Sequence, residues 1–507
     1  MNRAAGTHEL VPTEDAVSTR QQRAAQPLYI SRIKVYPKAV GGLFRRLKWA
    51  LLALFLGVYY LLPWLRWDRG PGAPDQAVLI DMPGRRAYFF MIEIWPQEIY
   101  YLAGLLILAA FGLFLVTTMF GRVWCGYACP QTVWTDLFLW VEALIEGDRN
   151  NRMKLDRGPL TAAKAAKKAL KHAAWLAIAA LTGGAWVFYF SDAPSTLVEL
   201  WRMEPSAPVY LFIGLFTGTT YLLAGWAREQ VCTYMCPWPR FQAALQDEHT
   251  FSVTYRAWRG EPRGKHKRGQ SWEGRGDCVD CGACVAVCPT GIDIRDGQQL
   301  ECIGCGLCID ACNAVMQKVE RPAGLIAWDT LAKQADGGTG PTVPLWRPRM
   351  VLYGLLMLGV AGIMLFALLS RATAELNVQR DRNPLFVVLS DGAVRNGYTV
   401  SILNKRREEV PYRLSTTGLP GATMSVAETG ARDVPASSHI VLPGKPDAVS
   451  TYRLFAAWLA RAGAAGVTSR RRDDGRLARL ALPERFAEVD REGQDAAAHR
   501  GGDVGAF

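Results

Sequence analysis

Apolar, nearly uncharged windows recur along the chain. Each is about 17 to 22 residues long, the length that a helix needs to cross the hydrocarbon core of a bilayer. The five windows are Trp49–Leu65, Ile99–Phe120, Ala173–Phe190, Val209–Ala227 and Met350–Leu369. Five such windows predict a multi-pass membrane protein rather than buried helices of a soluble one. The first follows a polar stretch and has no cleavage site after it, which indicates an uncleaved anchor.

The polar segments between these windows differ in basic residues. Lys and Arg number nine in Met1–Lys48 and nine in Gly121–His172, against four in Arg66–Glu98 and one in Ser191–Pro208. The positive-inside bias therefore predicts a cytoplasmic amino terminus and a periplasmic region after Leu369. The net charge of +12 mostly reflects this bias. No ordered basic and aromatic surface accompanies it, so we expect no nucleic-acid partner.

All twelve cysteines fall on the side predicted to be cytoplasmic, in three groups. Disulfides belong to oxidising compartments, so this distribution predicts thiolate ligands and redox chemistry. Eight of them form two Cys-x-x-Cys-x-x-Cys-x-x-x-Cys runs, the spacing of bacterial two-cluster ferredoxins, in which the fourth cysteine of each run ligates the other cluster. This predicts two [4Fe–4S] clusters, with a pair of zinc sites as the alternative. The predicted ligands are Cys278, Cys281, Cys284 and Cys312 (set A) and Cys302, Cys305, Cys308 and Cys288 (set B).

Two shorter motifs, WCGYACPQ and VCTYMCPW, place Cys-x-Tyr-x-Cys-Pro after the second and fourth windows. Cys125 and Cys129 form one pair, and Cys232 and Cys236 form the other. Residues four apart share one face of a helix, and the following proline predicts a helix break at the second cysteine of each pair. Both windows run in the same direction, so we expect the four thiols to meet at the cytoplasmic membrane boundary.

Four thiols at one place are compatible with several roles. Soft thiolates favour Cu(I), a nearby cluster could supply the electron that reduces Cu(II), and Met235 could add a thioether ligand. The thiols could instead form disulfides for thiol exchange, hold a third cluster, or pack as small apolar side chains. Repetition of the motif at equivalent points favours a redox or metal role. Tyr127 and Tyr234 are interpreted as anchors at the membrane interface.

Short β-branched and aromatic runs follow the last window and predict a small β-sandwich, with Asp391-Gly392 and Asn396-Gly397 as turns. The final segment is rich in Ala, Arg, Gly and Asp, and we expect it to be disordered or weakly helical. The predicted organisation is a cytoplasmic tail (1–42), a four-span transmembrane bundle with both cysteine pairs (43–250), a linker (251–275), a two-cluster ferredoxin domain (276–335), a fifth transmembrane helix (350–370), a periplasmic β domain (372–452) and a divergent tail (453–507).

Taken together, these motifs resemble the CcoG family of cytochrome c oxidase accessory proteins, also called FixG or RdxA. The resemblance covers roughly Gln26–Tyr452 and rests on GRVWCGYACPQTVWTDLF, REQVCTYMCPWPRFQ, GDCVDCGACVAVCPTGIDIR, ECIGCGLCIDACN and DRNPLFVVLSDGAVRNGYTV. It implies two [4Fe–4S] clusters held by sets A and B and an immunoglobulin-like periplasmic domain. The chain departs from the family at its end, where members continue the sandwich with further strands.

The resemblance also implies a function and partners. Cys125, Cys129, Cys232 and Cys236 would handle copper in a cupric reductase that turns Cu(II) into Cu(I) during biogenesis of cbb3-type cytochrome oxidase. Expected partners are oxidase subunits or copper chaperones and transporters, a cytoplasmic electron donor, and a second copy of the chain in a homodimer. The expected location is the bacterial inner membrane. Alternatives are a NapH- or NosR-like electron conduit between the quinone pool and a periplasmic redox partner, and a non-enzymatic scaffold for oxidase assembly.

Overall fold

The computed structural model describes residues 34–70, 72–266, 270–339, 346–384, 386–416, 421–427, 437–458 and 486–491. Most of the predicted tail 1–42 lies outside these ranges. The chain divides into two compact units, Met1–Met364 and Leu365–Phe507, each with its own contacts.

Helices dominate the chain up to Leu369. The helices are α1 (Leu43–Leu61), α2 (Tyr100–Phe120), α3 (Val123–Tyr127), α4 (Pro130–Glu146), α5 (Arg149–Arg157), α6 (Ala162–Val187), α7 (Ala193–Arg202), α8 (Ala207–Thr220), α9 (Trp238–Leu245), α10 (Ala257–Gly260), α11 (Ala283–Val287), α12 (Leu307–Lys318), α13 (Leu331–Ala335) and α14 (Pro348–Leu369). Two wide π-helical segments, Tyr221–Ala227 and Val231–Met235, follow α8. Short 3-10 turns occupy Leu62–Trp64, Pro96–Glu98 and Ile294–Asp296.

Among the described residues, four helical stretches are long and apolar enough to cross a membrane. They are Leu43–Trp64, Pro96–Phe120, Ala207–Ala227 and Pro348–Leu369, and they match four of the five predicted windows. The fifth window, Ala173–Phe190, lies on α6, which begins with a lysine-rich stretch and is not one of the four. The structure therefore supports a membrane protein with four apolar helices. The five-span topology and its orientation stay predictions.

Helix α4 carries a buried carboxylate that joins several elements. Glu142 has no exposed surface and pairs with Arg228 at 2.8 Å, Arg152 at 3.4 Å and Lys171 at 3.6 Å. A charge buried without a partner costs several kcal/mol, and the three cations offset this cost for Glu142. They fix α4 to α5, to α6 and to the segment that leads into the second cysteine motif.

The eight predicted cluster cysteines lie between α10 and α13. Strands β4 (Ser252–Tyr255) and β5 (Ile326–Asp329) pair antiparallel and close this part of the fold. Arg256 strengthens the closure through an ion pair with Asp329 at 2.8 Å. The structure thus differs from the predicted linker over 251–275, because the chain there forms β4 and α10; residues 267–269 lie outside the described part.

The first apolar helix begins beside residues 251–335, which carry both cysteine sets and which we call the ferredoxin part. The backbone N–H groups of Phe44 and Arg45, in the first turn of α1, donate to the carboxylate of Asp310 at 3.3 Å and 2.8 Å. A side chain at Gly42 would collide with this carboxylate. The first N–H groups of a helix lack intrahelical partners and favour negative charge. Asp310 on α12 therefore caps and anchors α1.

Between α1 and α2, three strands form an antiparallel meander that the sequence analysis did not predict. They are β1 (Val78–Asp81), β2 (Arg86–Phe89) and β3 (Ile92–Ile94). Arg69 ties the meander to the preceding loop by donating to the carbonyls of Phe90 (2.6 Å) and Ala77 (2.8 Å).

The second unit consists of β-strands. They are β6 (Ala374–Arg380), β7 (Val387–Val388), β8 (Val394–Asn404), β9 (Val410–Thr416), β10 (Thr423–Ala427), β11 (His439–Gly444), β12 (Ala448–Trp458) and β13 (Phe486–Arg491). One sheet has the order β10-β12-β8-β6 with β7 beside β8, and the other has the order β11-β9-β13. Val400 and Ile402 from β8 pack with Leu414 from β9 and Leu442 from β11 in one core, so residues of both sheets share it.

Two details of this unit differ from the predictions. Asn396-Gly397 lies inside β8 instead of forming a turn, whereas Asp391-Gly392 does turn, with Gly392 at a φ of 82°. Strand β12 continues to Trp458, and Phe486–Arg491 pairs with β9. The prediction that the chain after Tyr452 is disordered or weakly helical is therefore wrong for these residues. The rest of that tail, 459–485 and 492–507, lies outside the described part.

Candidate redox site

The cysteines of the ferredoxin part surround two cavities. Set A lines one cavity, and set B lines a second cavity that Cys284 also reaches. Cys312 interacts electrostatically with the other three members of set A, and Cys308 interacts with the other three of set B. The structure therefore brings together the cysteines that the spacing assigns to each set, with the last cysteine of each run in the opposite group.

The two sets suit [4Fe–4S] clusters. Glycines with positive φ, namely Gly282 (64°), Gly304 (65°) and Gly306 (72°), let the chain turn closely beside the thiols. Burial raises the pKa of Cys302 and of Cys312 to about 12, so a thiolate there calls for a metal partner. In the described ranges, no three His, Cys, Asp or Glu side chains, whether in the two sets or in the short motifs, are close enough to hold a single metal ion. Thiols spread around a cavity favour a multinuclear cluster over the zinc alternative.

The two short motifs end in the same type of backbone hydrogen bond, although Val123–Tyr127 is α-helical and Val231–Met235 is π-helical. The N–H of Cys129 donates to the carbonyl of Trp124 at 2.9 Å, and the N–H of Cys236 donates to that of Val231 at 2.8 Å. Each bond reaches five residues back, which is the π-helical pattern often found at functional sites. Cys129 and Cys236 are themselves extended, with ψ of 127° and 122°. The predicted helix break before each proline is confirmed.

The four thiols of these motifs lie close enough to interact. Cys125 interacts with Cys129, Cys232 and Cys236, and Cys232 also interacts with Cys129 and Cys236. Burial first, and then the neighbouring thiols, raise the pKa of Cys125 and of Cys232 to about 12. We call this group the four-thiol site. Its members come from two motifs about a hundred residues apart, as the repeat predicts.

Gln242 completes the surroundings of the four-thiol site. Its side chain is fully buried, its Oε1 accepts from the Cys125 thiol at 3.2 Å, and its Nε2 has no hydrogen-bond partner among the described residues. Sequence reasoning missed Gln242, although an uncharged polar residue among apolar ones in the helix that follows the second motif was an available signal.

The first motif packs directly against residues 300–305, which we call the loop of set B. The hydroxyl of Tyr127, a residue only 6% exposed, donates to the carbonyl of Cys305 at 2.9 Å. A Cβ on Gly126 would lie 2.9 Å from the oxygen of Ile303 and 3.0 Å from the Cα of Cys305, so a larger residue would push the loop away. Cys125 belongs to the same hydrophobic cluster as Cys305. The interpretation of Tyr127 as an interfacial anchor is wrong, because this side chain is buried against the ferredoxin part.

The second motif is open by comparison. Tyr234 is 76% exposed and Met235 is 62% exposed, and Cys236 is exposed as well. The anchoring role of Tyr234 and the thioether role of Met235 stay predictions.

The described residues contain apolar helices, a four-thiol site that packs against the loop of set B, a second cysteine set and a β domain. Together these features define a membrane-bound iron–sulfur protein. A family model for a 4Fe-4S dicluster domain matches residues 227–331, and a model for a 4Fe-4S binding domain matches residues 102–149. The model for the "IG-like fold at C-terminal of FixG" matches residues 364–452. No solved structure matches the chain.

The chain belongs to the FixG family, which also includes RdxA and RdxB. It is 52% identical over 471 residues to the nitrogen fixation protein FixG of Rhizobium meliloti, a match that covers 87% of this chain and 89% of that protein. It is 52% identical over 420 residues to protein RdxA of Cereibacter sphaeroides, covering 82% and 89%, and 50% identical over 431 residues to protein RdxB of the same organism, covering 82% and 90%.

These matches settle the broad features of the protein. It is a FixG-type redox protein of the membrane, with two 4Fe–4S clusters that transfer electrons and an IG-like carboxy-terminal domain. The dicluster match includes both cysteine sets together with the Cys232/Cys236 pair, and the other 4Fe-4S match includes the Cys125/Cys129 pair.

Proposed function

We propose that the protein moves single electrons from a cytoplasmic carrier, by way of sets A and B, to the four-thiol site. There it reduces Cu(II) to Cu(I) for assembly of a cbb3-type cytochrome c oxidase. The observation that carries this proposal is the contact of the first motif with the loop of set B through Gly126 and Tyr127. When bound, each cluster supplies the storage and release of one electron.

The chemistry of the four-thiol site suits copper as the substrate. Soft thiolates stabilise Cu(I) over Cu(II), so binding there assists the reduction. The raised pKa of Cys125 and of Cys232 keeps these thiols protonated until a metal displaces the protons, which pass to solvent. One electron converts one Cu(II) into one Cu(I), and no other group is transferred. The exposed Cys236 and Met235 provide an approach for the ion.

The destination of the copper follows from the resemblance to the CcoG family. The partners in this proposal are oxidase subunits or the copper chaperones and transporters that serve them. The ferredoxin part faces the cytoplasm and the IG-like domain faces the periplasm of the inner membrane, in line with the distribution of Lys and Arg between the apolar windows.

The proposal is tested by replacing Cys125, Cys129, Cys232 and Cys236 with serine in the full-length protein, purified anaerobically in detergent. We expect dithionite-reduced wild-type protein to convert Cu(II) into Cu(I), measured with a Cu(I)-specific chelator. The variant should lose this activity and keep the EPR signals of both clusters. Copper reduction at the wild-type rate in the variant would falsify the proposal.

A second candidate is a pure electron conduit in which the four thiols hold a third cluster. It is favoured by one observation: both short motifs lie inside matches to 4Fe-4S domain models. Iron and sulfide analysis distinguishes the two functions. A conduit of this kind contains the iron of three clusters and loses a third of it in the four-serine variant. A copper reductase contains the iron of two clusters and loses none.

A further inference from the structure

Arg122 joins the three cysteine-bearing segments. It stands immediately before the first motif, and its Nη2 donates at 3.0 Å to the carbonyl of Pro239, which follows the second motif. Its Nη1 donates to the carbonyls of Leu300 and, at 3.2 Å, of Cys302 in the loop of set B. One guanidinium thus connects both halves of the four-thiol site with the backbone of set B.

The charge of Arg122 is buried without a matching carboxylate. The residue is 9% exposed, and in the described ranges no carboxylate forms an ion pair with it. The side chains of Cys302 and Cys125 act on its charge more strongly than the carboxylate of Glu301 does. A buried cation is costly unless negative charge compensates it. When set B holds a cluster, the thiolate of Cys302 would place negative charge beside this cation.

Among the described residues, Lys48 and Arg295 also lie near cysteines, and both are neutralised. Lys48 acts on Cys232 and Cys305, but it pairs with Asp136 at 3.5 Å. Beside set A, Arg295 pairs with Asp293 at 2.6 Å and is also bound to Asp280. Arg122 differs from both, because no carboxylate in the described ranges forms an ion pair with its guanidinium.

We propose that Arg122 is a positioning residue that fixes set B against the four-thiol site, and that its charge raises the reduction potential of the cluster held by set B. Set B is then the exit of the electron path and set A its entrance. A reduced cluster carries one more negative charge than an oxidised one, so a buried cation beside it favours the reduced form. The exposed Cys281 of set A suits an entrance that a soluble one-electron carrier can approach.

The electron balance is simple. A low-potential carrier of the ferredoxin or flavodoxin class gives one electron at set A and is oxidised, and one electron leaves at set B for the four-thiol site. The direction of flow rests on the proposed function, whereas the effect of Arg122 on the potential of set B does not.

The test is an EPR-monitored redox titration of the full-length protein. In Arg122→Gln, we expect the midpoint potential of one cluster to fall while that of the other stays unchanged. Arg122→Lys keeps the charge and should keep the set B potential above that of set A. The matched control is Arg295→Gln beside set A, which should leave the set B potential unchanged. Repeating Arg122→Gln in a Cys281→Ser background, which perturbs set A, assigns the shifted cluster to set B.

Two results of this titration overturn the inference. One is an Arg122→Gln protein with both potentials unchanged, or with a shift confined to set A. The other is an Arg122→Lys protein in which the two potentials become equal, and this result remains decisive if the Gln variant does not retain its iron.

Rapid freezing after Cu(II) is mixed with reduced wild-type protein tests the order of the path. We expect the set B signal to be lost first. Earlier loss of the set A signal contradicts the inference and leaves copper reduction standing. If no Cu(I) forms, the proposed function fails while the titration still decides the role of Arg122.

Discussion

The two Cys-x-Tyr-x-Cys-Pro motifs end in the same type of backbone hydrogen bond but have opposite surroundings. In the first motif, Tyr127 is buried and bonded to the loop of set B, and Gly126 leaves no room for a side chain. In the second, the equivalent Tyr234 and Thr233 make no such contact with that loop in the described structure, and Tyr234 is 76% exposed.

Two copies of one motif can therefore have different roles, because one is buried and the other is exposed. The shared hydrogen bond closes both motifs at the second cysteine. The buried copy contacts the loop of set B, and the open copy leaves Tyr234 and Cys236 exposed. Under the proposed function, the first contact would serve electron transfer and the second opening would admit the substrate. Substitutions in and beside the two motifs test this difference.

The largest effect is expected from Glu142→Gln, which removes the tie between the two motifs. Glu142 on the helix after the first motif pairs with Arg228, which leads into the second. Breaking a buried ion pair from one side leaves uncompensated cations and costs about 3–5 kcal/mol. Chemical unfolding in detergent micelles measures this loss, and Cu(I) binding reports any change at the four-thiol site.

Glu199→Gln, at an exposed position of α7, is the control for this substitution, with an expected change within about 0.5 kcal/mol.

Burial raises the pKa of Glu142, but Arg228, Lys171 and Arg152 outweigh burial and hold this pKa below its usual value. A carboxyl with a lowered folded-state pKa adds stability that is present above its unfolded pKa and is lost as the pH falls toward the folded one. Wild-type protein should show this acid-dependent loss, and an equal loss in Glu142→Gln would contradict the assignment.

A smaller effect is expected from alanine at the position after the first cysteine of each motif. In Gly126→Ala the new Cβ meets the backbone of Ile303 and Cys305, and such overpacking costs about 1–3 kcal/mol. Thr233→Ala adds no atoms and loses one hydroxyl bond to the carbonyl of Glu229, for at most about 1 kcal/mol. Freeze-quench EPR should show slower electron loss from set B in Gly126→Ala only. Equal rates in the two variants would mean that this contact does not govern transfer.

The smallest effect is expected from removing the tyrosine hydroxyls. Tyr127→Phe loses the bond to the Cys305 carbonyl, which is worth about 1 kcal/mol. Tyr234→Phe should stay within about 0.5 kcal/mol, because that side chain is exposed. Thermal unfolding of the two variants side by side measures the difference. A larger loss for Tyr234→Phe would reverse the roles assigned to the motifs.

Local patterns predicted the parts of the fold that depend on local chemistry. Cysteine spacing assigned both sets, proline predicted the breaks at Cys129 and Cys236, and hydropathy located four apolar helices. These features depend on residues that are neighbours in sequence.

The features that were missed depend on distant contacts. A tyrosine beside an apolar window has the same sequence signal whether it faces lipid or packs on a loop, so the burial of Tyr127 was not visible. Arg122 resembles any basic residue at the end of a membrane window. Strand β4 was predicted as linker because its partner β5 lies far along the chain. The pairing of Phe486–Arg491 with β9 was hidden in the same way.

The cap that Asp310 places on the first apolar helix links iron supply to the anchoring of the chain. Asp310 lies on α12 between Cys308 of set B and Cys312 of set A. During synthesis, α1 is made long before Asp310. The first N–H groups of α1 therefore lack this acceptor until α12 has been made. Without metal at either neighbouring cysteine, α12 would be held less firmly, and so would the cap on α1. Metal loading and the seating of α1 on the cysteine-bearing part would then be completed together.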